Sequence, residues 1–153
     1  MPLMVQRDDP RADDIRSLLA THLAFAHGVT PAEFSFALDV EELADPSVSF
    51  FSAREDGRLL GIAALKKLDD EHAELKSMHA RADARNRGVG RALLERIVEH
   101  ATAQGYRRIS LETGTTVDFA PARTLYASAG FIPCDAFADY RPSPYNMFMT
   151  RRL

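Results

Sequence analysis

The sequence predicts an α/β (α+β) fold: a mixed, mostly antiparallel sheet with one central β-α-β crossover. Three observations carry this. Between residues 48 and 80, three apolar runs are separated by turn-forming residues, the pattern of an antiparallel meander. A strongly amphipathic helix follows from Gly88 to Gln104, and another strand-like run starts at Arg108. A helix-bearing connection of that length joins parallel neighbours by a right-handed crossover, so the Arg108 strand should lie parallel to Ala73–Ala80.

Each element has a local reason. Leu3 to Arg7 alternates as a short strand and stops at Asp8, Asp9 and Pro10. From about Asp13, Ile15, Leu18, Leu19, Leu23 and Ala26 keep helical spacing, with acids at the start and His27-Gly28 as the stop. Val29 to Leu38, which carries Phe34 and Phe36, reads as a surface loop, and Asp39 to Leu43 as a short helical turn. Val48–Ala53 and Leu59–Leu65 form a hairpin, since Asp56-Gly57 between them readily supplies positive φ angles. The Asp69-Asp70-Glu71 turn then leads into Ala73–Ala80. In the long helix, Val89, Leu93, Leu94, Ile97, Val98 and Ala101 form the apolar stripe and Gly105 supplies the C-cap. Arg108 to Glu112 is a strand. Ala120 to Ala129 is a helix with Pro121 in its first turn and Gly130 past its end. Phe131–Cys134 and Tyr145–Thr150 close the sheet around a loop from Asp135 to Pro144.

No repeat, linker or low-complexity tract interrupts the 153 residues, so a single domain over 1–153 is expected. Cys134 is the one cysteine and cannot close an intramolecular disulfide or build a cysteine metal site; it reads as a small buried hydrophobe. No run approaches the roughly 18 apolar residues of a membrane span, and no signal-peptide core opens the chain. The expectation is a soluble, cytoplasmic protein without membrane partners. A formal charge of −3 argues against general nucleic-acid affinity. That charge is unevenly spread: residues 1–60 carry −6, residues 61–80 carry −1 and residues 81–153 carry +4. The C-terminal half is therefore the place to look for an anion.

The sharpest local feature is Arg85-Asn86-Arg87-Gly88-Val89-Gly90-Arg91, between a strand and the strong helix. Glycines let backbone approach a ligand, and the free N–H groups of a first helical turn attract anions. With Arg81, Arg85, Arg87 and Arg91 against Asp83, the segment offers a diphosphate site. It is not a P-loop, because Arg91-Ala92 replaces the lysine and hydroxyl residue that should follow Gly90. Nor is it a dinucleotide fingerprint, because Leu93 stands where the third glycine belongs. Without further context, the same glycines would serve a tightly packed helix start and the arginines a solvated face.

Arg85-x-x-Gly88-x-Gly90 resembles the Q/R-x-x-G-x-G/A acyl-CoA signature of the GNAT superfamily of N-acetyltransferases. Ala122-Arg123-Thr124-Leu125-Tyr126-Ala127-Ser128-Ala129-Gly130-Phe131 is similar to that family's A-x-x-LY-x-x-x-GF segment, and the element order agrees along nearly the whole chain. The resemblance implies a GNAT-like sheet with helices on both faces, acetyl-CoA as donor with CoA as product, and no metal. It implies that Ala73–Ala80 and Arg108–Glu112 splay apart to admit pantetheine. Main-chain groups at Met78, His79 and Ala80 would contact the cofactor, with the Ala80 N–H near the thioester carbonyl. The amides from Arg87 to Arg91 would hold the pyrophosphate with Arg85, Arg87 and Arg91, and with Asn86 and Val89 in the same loop. Arg123 would face the nucleotide phosphates.

Tyr126 occupies the position that protonates the departing thiolate in many members; its other reading is a core aromatic. Glu74 is the first candidate base and Glu112 the second, each alternatively a simple ion-pair partner, Glu74 of Lys76 or Lys66. His79 has a suitable pKa but falls on the opposite strand face from that of Met78 if alternation is regular; a bulge would change this. The chain departs from the family at Phe119, where many members have asparagine. Phe34, Phe36, Tyr140 and Arg141 are expected to wall the acceptor pocket. His22 and His27 lack ligand partners at metal spacing, and no Gly-x-Ser-x-Gly elbow supports a hydrolase.

The expected activity is acetyl transfer from acetyl-CoA to a primary amine of a small molecule in a ternary complex. Its rivals are a non-catalytic acyl-CoA-binding or regulatory module and a protein-lysine or N-terminal acetyltransferase. A homodimer is one assembly this reading allows.

Overall fold

A computed structural model describes residues 3–29, 40–85 and 87–153. Phe34, Phe36 and Asn86 lie outside the described residues. The strands are β1 (Met4–Arg7), β2 (Val48–Glu55), β3 (Arg58–Lys67), β4 (His72–Ala80), β5 (Arg108–Gly114), β6 (Ile132–Cys134) and β7 (Asn146–Arg152). The helices are α1 (Asp13–Val29), α2 (Val40–Leu43), α3 (Val89–Ala103) and α4 (Ala120–Ser128), with short 3₁₀ turns at Ala82–Ala84 and Val117–Phe119.

The strands form one sheet in the order β1-β2-β3-β4-β5-β7-β6. Every neighbouring pair is antiparallel except β4 and β5, which are parallel and joined through α3. Asp56 and Gly57, at φ 53° and 80°, make the β2–β3 turn that the Asp-Gly pair predicts.

Both faces of the sheet are covered. Phe51, Ala63, Leu65, Leu75, Ile109 and Leu111 pack with α3 residues Leu93, Leu94 and Ile97 and with Tyr126 of α4. On the other face Phe50, Leu59, Ile62 and Ala64 pack with Ile15, Leu18 and Leu19 of α1 and Leu43 of α2. The central strand β3 is consequently buried without interruption from Leu59 to Leu65 and shows no polar alternation. Gly61 permits a close approach of α3: a Cβ there would lie 2.7 Å from Val89 Cγ1 and 3.0 Å from Leu93 Cδ1, so α3 rests directly on β3 backbone.

Candidate active site

The site begins as a failure of pairing. β4 and β5 pair from His72↔Arg108 to Leu75↔Leu111 and then part. Beyond that point β4 stays with β3 as far as Ala80↔Gly61, while β5 stays with β7 as far as Gly114↔Asn146. On β4, Ser77 and Met78 together oppose Ala63, because the register slips between Ala64↔Lys76 and Ile62↔His79. Ser77 holds φ at 55° to make this bulge. The divergence opens a cavity of about 690 Å³, lined by Lys76 to Ala80 on one side and Glu112 to Gly114 on the other, with α3 and α4 residues at its outer end.

The outer end is built for an anion. Gly88 caps α3 at φ 78° without a side-chain cap, and the first amide bonded within the helix is that of Ala92, to Gly88 O at 3.0 Å. The amides of Val89, Gly90 and Arg91 precede it and point out of the helix start. Gly88, Val89, Gly90, Arg85 and Arg91 all line the cavity, whereas Arg87 does not and pairs with Glu55 at 2.8 Å. Arg91 also donates to Ser128 Oγ at 3.1 Å. A Cβ on Gly90 would come within 2.9 Å of Leu125, so this glycine lets α4 close against α3. The Arg81 N–H donates to Leu60 O at 2.8 Å, so by ladder alternation the main-chain groups of Ala80 turn away from β3 and toward the gap.

At the inner end, two carboxylates flank the point of parting. Glu74 is buried, ion-paired with Lys76 at 3.2 Å, and accepts a hydrogen bond from the Tyr140 hydroxyl, which also meets Lys76 Nζ. Lys76 Nζ lies 5.1 Å from the Tyr140 ring centroid as well. Glu112 accepts from Asn146 Nδ2 at 3.3 Å, and the same amide donates to Arg141 O at 3.2 Å. Burial pushes the Glu112 carboxyl above the usual carboxylate range, against the pull of Asn146 and Lys76. Burial, then the neighbouring Glu74 charge, pushes the Tyr140 phenol up.

Tyr126 is buried in the α4 core, its ring 6.1 Å from that of Phe131, yet it lines the cavity. Burial raises its phenol well above the ordinary range, which makes it a weaker acid. The bulge places His79 on the α1 face with Ile62, the face that Glu74 and Lys76 share, rather than where regular alternation puts it. There His79 Nδ1 meets His22 Nδ1 at 3.2 Å. Burial holds both imidazoles neutral, each with a pKa lowered to about 4; the neighbouring His79 adds to the effect at His22 and Arg85 at His79. Two side chains stand apart from their sequence-based roles. Arg123 Nη1 donates to Gly114 O at 2.7 Å and Thr116 O at 2.9 Å, so its guanidinium anchors α4 to the end of β5, outside the cavity lining. Arg141 is exposed, and it is Tyr140 that enters the site.

Residues 14–131 match the model of the acetyltransferase (GNAT) family. The chain belongs to that family. It is 42% identical over 149 residues to an uncharacterized N-acetyltransferase, YsnE, of Bacillus subtilis, covering 97% of this chain and 99% of the relative. It is 34% identical over 151 residues to an IAA acetyltransferase of Azospirillum brasilense, covering 97% of each. A GNAT family acetyltransferase from Elizabethkingia anophelis, solved with acetyl-CoA bound, shares the fold at TM-score 0.73 and 16% identity over 99% of this chain and 98% of that one.

Within this GNAT fold, sequence reasoning missed several cavity residues. Lys76 was legible only as an ion-pair partner of Glu74, and Asn146, which holds Glu112 from outside the lining, only as part of the Tyr145–Thr150 strand. Phe25, His22 and Ser77 carried no local signal, because their positions depend on how α1 and the bulge meet. Phe119 packs its ring onto Gly114, where a Cβ would fall 2.1 Å from Cδ2, and meets Phe25 at 5.2 Å between centroids. Its ring takes the place beside the gap where family resemblance expects an amide. Among the described residues no cluster of three or more His, Cys, Asp or Glu side chains could hold a metal.

Proposed function

We propose that this GNAT-family chain transfers an acetyl group from acetyl-CoA to a primary amine of a small molecule, by direct attack with both substrates bound. One observation carries the reading. The gap between β4 and β5 leads from an uncapped α3 start, with Arg85 and Arg91 beside it, to a pair of carboxylates. The donor supplies the activated acyl group. The chain supplies position, charge and proton handling.

The amides of Val89 to Arg91 with Arg85 and Arg91 hold the diphosphate, and main-chain groups of Met78 and Ala80 pair with the pantetheine amides. At the inner end, two carboxylates face one ammonium, Lys76, which attracts a cationic acceptor. The amine must lose a proton to attack. Glu112 takes it: its raised pKa gives it the basicity, while Glu74 is engaged by Lys76 and Tyr140. This reverses the order of the two carboxylates expected from sequence. Tyr126, whose raised pKa makes it keep its proton, donates a hydrogen bond to the departing thiolate.

The cofactor end is tested by calorimetry with CoA. Gly88→Asp forces a side chain onto a φ of 78° and sets a carboxylate at the phosphate site, while Arg85→Ala removes one cation. Each should weaken CoA by about tenfold or more, a loss of ~1.4 kcal/mol per tenfold. Unchanged affinity in both variants would contradict the site.

A further inference from the structure

Cross-strand partners share one face of a sheet, and this sorts the cavity into two sides. Lys76 and His79 of β4 pair with Ala64 and Ile62, which pack against α1, and Glu74 stands two residues before Lys76 on the same face. On β5, Ile109 and Leu111 face α3, so Glu112 faces α1 by alternation. Both carboxylates therefore lie on the α1 face of the gap, whereas the α3 start and Tyr126 of α4 close the opposite face. With the donor held from α3 and α4, the acceptor comes from the α1 face.

That face offers rings. His22 and Phe25 of α1, His79 of β4 and Phe119 beyond β5 all line the cavity, and each keeps part of its surface exposed. They stand in series: His22 meets His79 at 5.1 Å between ring centroids, His79 lies 6.4 Å from Phe25, and Phe25 meets Phe119 edge-on at 5.2 Å. Edge-on and tilted contacts leave ring faces for a further ring. Burial keeps both imidazoles uncharged at neutral pH, so the wall neither repels an ammonium nor offers a carboxylate a cation. Among the described lining residues, the one ammonium, Lys76, is held by Glu74 and Tyr140, and Arg85 and Arg91 belong to the diphosphate end. We propose that the acceptor is an arylalkylamine, its ammonium meeting Glu112, its aromatic ring packing on Phe25 and Phe119, and no carboxylate standing beside the amine. Phe25 and Phe119 are then the specificity-determining residues. The proposal rests on the reading of the cleft as an acetyl-CoA site with Glu112 as base.

The test compares kcat/KM for acetyl transfer to three acceptors: 2-phenylethylamine, hexylamine, which lacks the ring, and phenylalanine, which adds a carboxylate beside the amine. In the wild type 2-phenylethylamine should exceed hexylamine by about tenfold and phenylalanine by about a hundredfold or more. Phe25→Leu and Phe119→Leu keep apolar bulk without a ring. In each, the ratio of 2-phenylethylamine to hexylamine should fall by about threefold or more. Because that ratio is taken within one variant, a loss of folded protein does not alter it. A wild type that prefers hexylamine or phenylalanine, or treats the three alike, would overturn the proposal. So would a ratio unchanged in both variants. Acetylation of no amine by the wild type would overturn the transfer reading of the cleft, and this proposal with it.

Discussion

Tyr126 and Glu112 show how one physical effect sets two opposite roles. Burial raises both pKa values; a raised phenol is a group that keeps its proton, and a raised carboxylate is one that takes a proton more readily. Tyr126→Phe keeps the ring and its contact with Phe131 while removing the hydroxyl. It should lower kcat by about 10²-fold or more with little change in the KM for acetyl-CoA, and an unchanged kcat would remove Tyr126 from proton handling. Glu112 must be ionised to act, so kcat/KM should rise with pH through a limb above the usual carboxylate range. In Glu112→Gln that limb should vanish on the same acceptor and the rate should drop by about 10²-fold or more. Persistence of the limb would hand the role to another group. These side chains were legible in the sequence as candidates by type and motif, but their ranking was not. Glu74 and Glu112 look equivalent until Tyr140, from a loop 66 residues away, caps one and leaves the other with Asn146.

Elements were more legible than the contacts between them. The Asp-Gly turn, the α3 stripe, the glycine stops and the length of the crossover each have local causes, and the strands and helices stand where those causes put them, within a residue or two. The β4 bulge has no local cause in the chain. It reverses which face His79 occupies, and it is the step at which β4 leaves β5. The role of Arg123 was hidden for a similar reason: the free carbonyls of Gly114 and Thr116 that it satisfies exist only once β5 turns into the following 3₁₀ segment. Arg123→Ala should cost about 2 kcal/mol of stability in urea denaturation, and weaken CoA less than Arg85→Ala does. The reverse ranking would return Arg123 to the phosphates. At the α3–β3 contact, Gly61→Ala should cost about 1–3 kcal/mol, since its Cβ meets Val89 and Leu93 within 3.0 Å. A variant as stable as wild type would mean that α3 shifts freely on the sheet.

Across the whole molecule, the two ends of one cavity differ in charge, but this does not follow the split along the chain: Glu112 belongs to the +4 segment, and no charged residue among those described in 1–60 lines the cavity. Arginines of the +4 segment, Arg85 and Arg91, stand at the outer end, and carboxylates outnumber the ammonium at the inner end. The His22–His79 contact ties α1 to β4 across the sheet and makes stability sensitive to acid. Both imidazoles titrate near 4 when folded, against 6.5 when unfolded. Below pH 6.5 the unfolded chain takes up protons that the folded chain refuses, so stability should fall as pH drops from about 6.5 to about 4. Asp8 and Asp14, held low chiefly by hydrogen bonds from Ser52 and Arg54, should add their losses only at lower pH. His79→Asn should flatten the upper window in thermal melts; an identical pH dependence would show that the pair is not its source.

In the reading proposed above, the gap between β4 and β5 carries acetyl from acetyl-CoA to an amine. The most direct measurement is thiol release from acetyl-CoA across a broad panel of amines, with the acetylated product identified by mass spectrometry. CoA release should be matched by one N-acetylated small molecule and should fall by about 10²-fold or more in Tyr126→Phe and Glu112→Gln. Saturable binding of acetyl-CoA with no acetylated product from any amine would contradict this reading, and would leave a binding module in place of an enzyme.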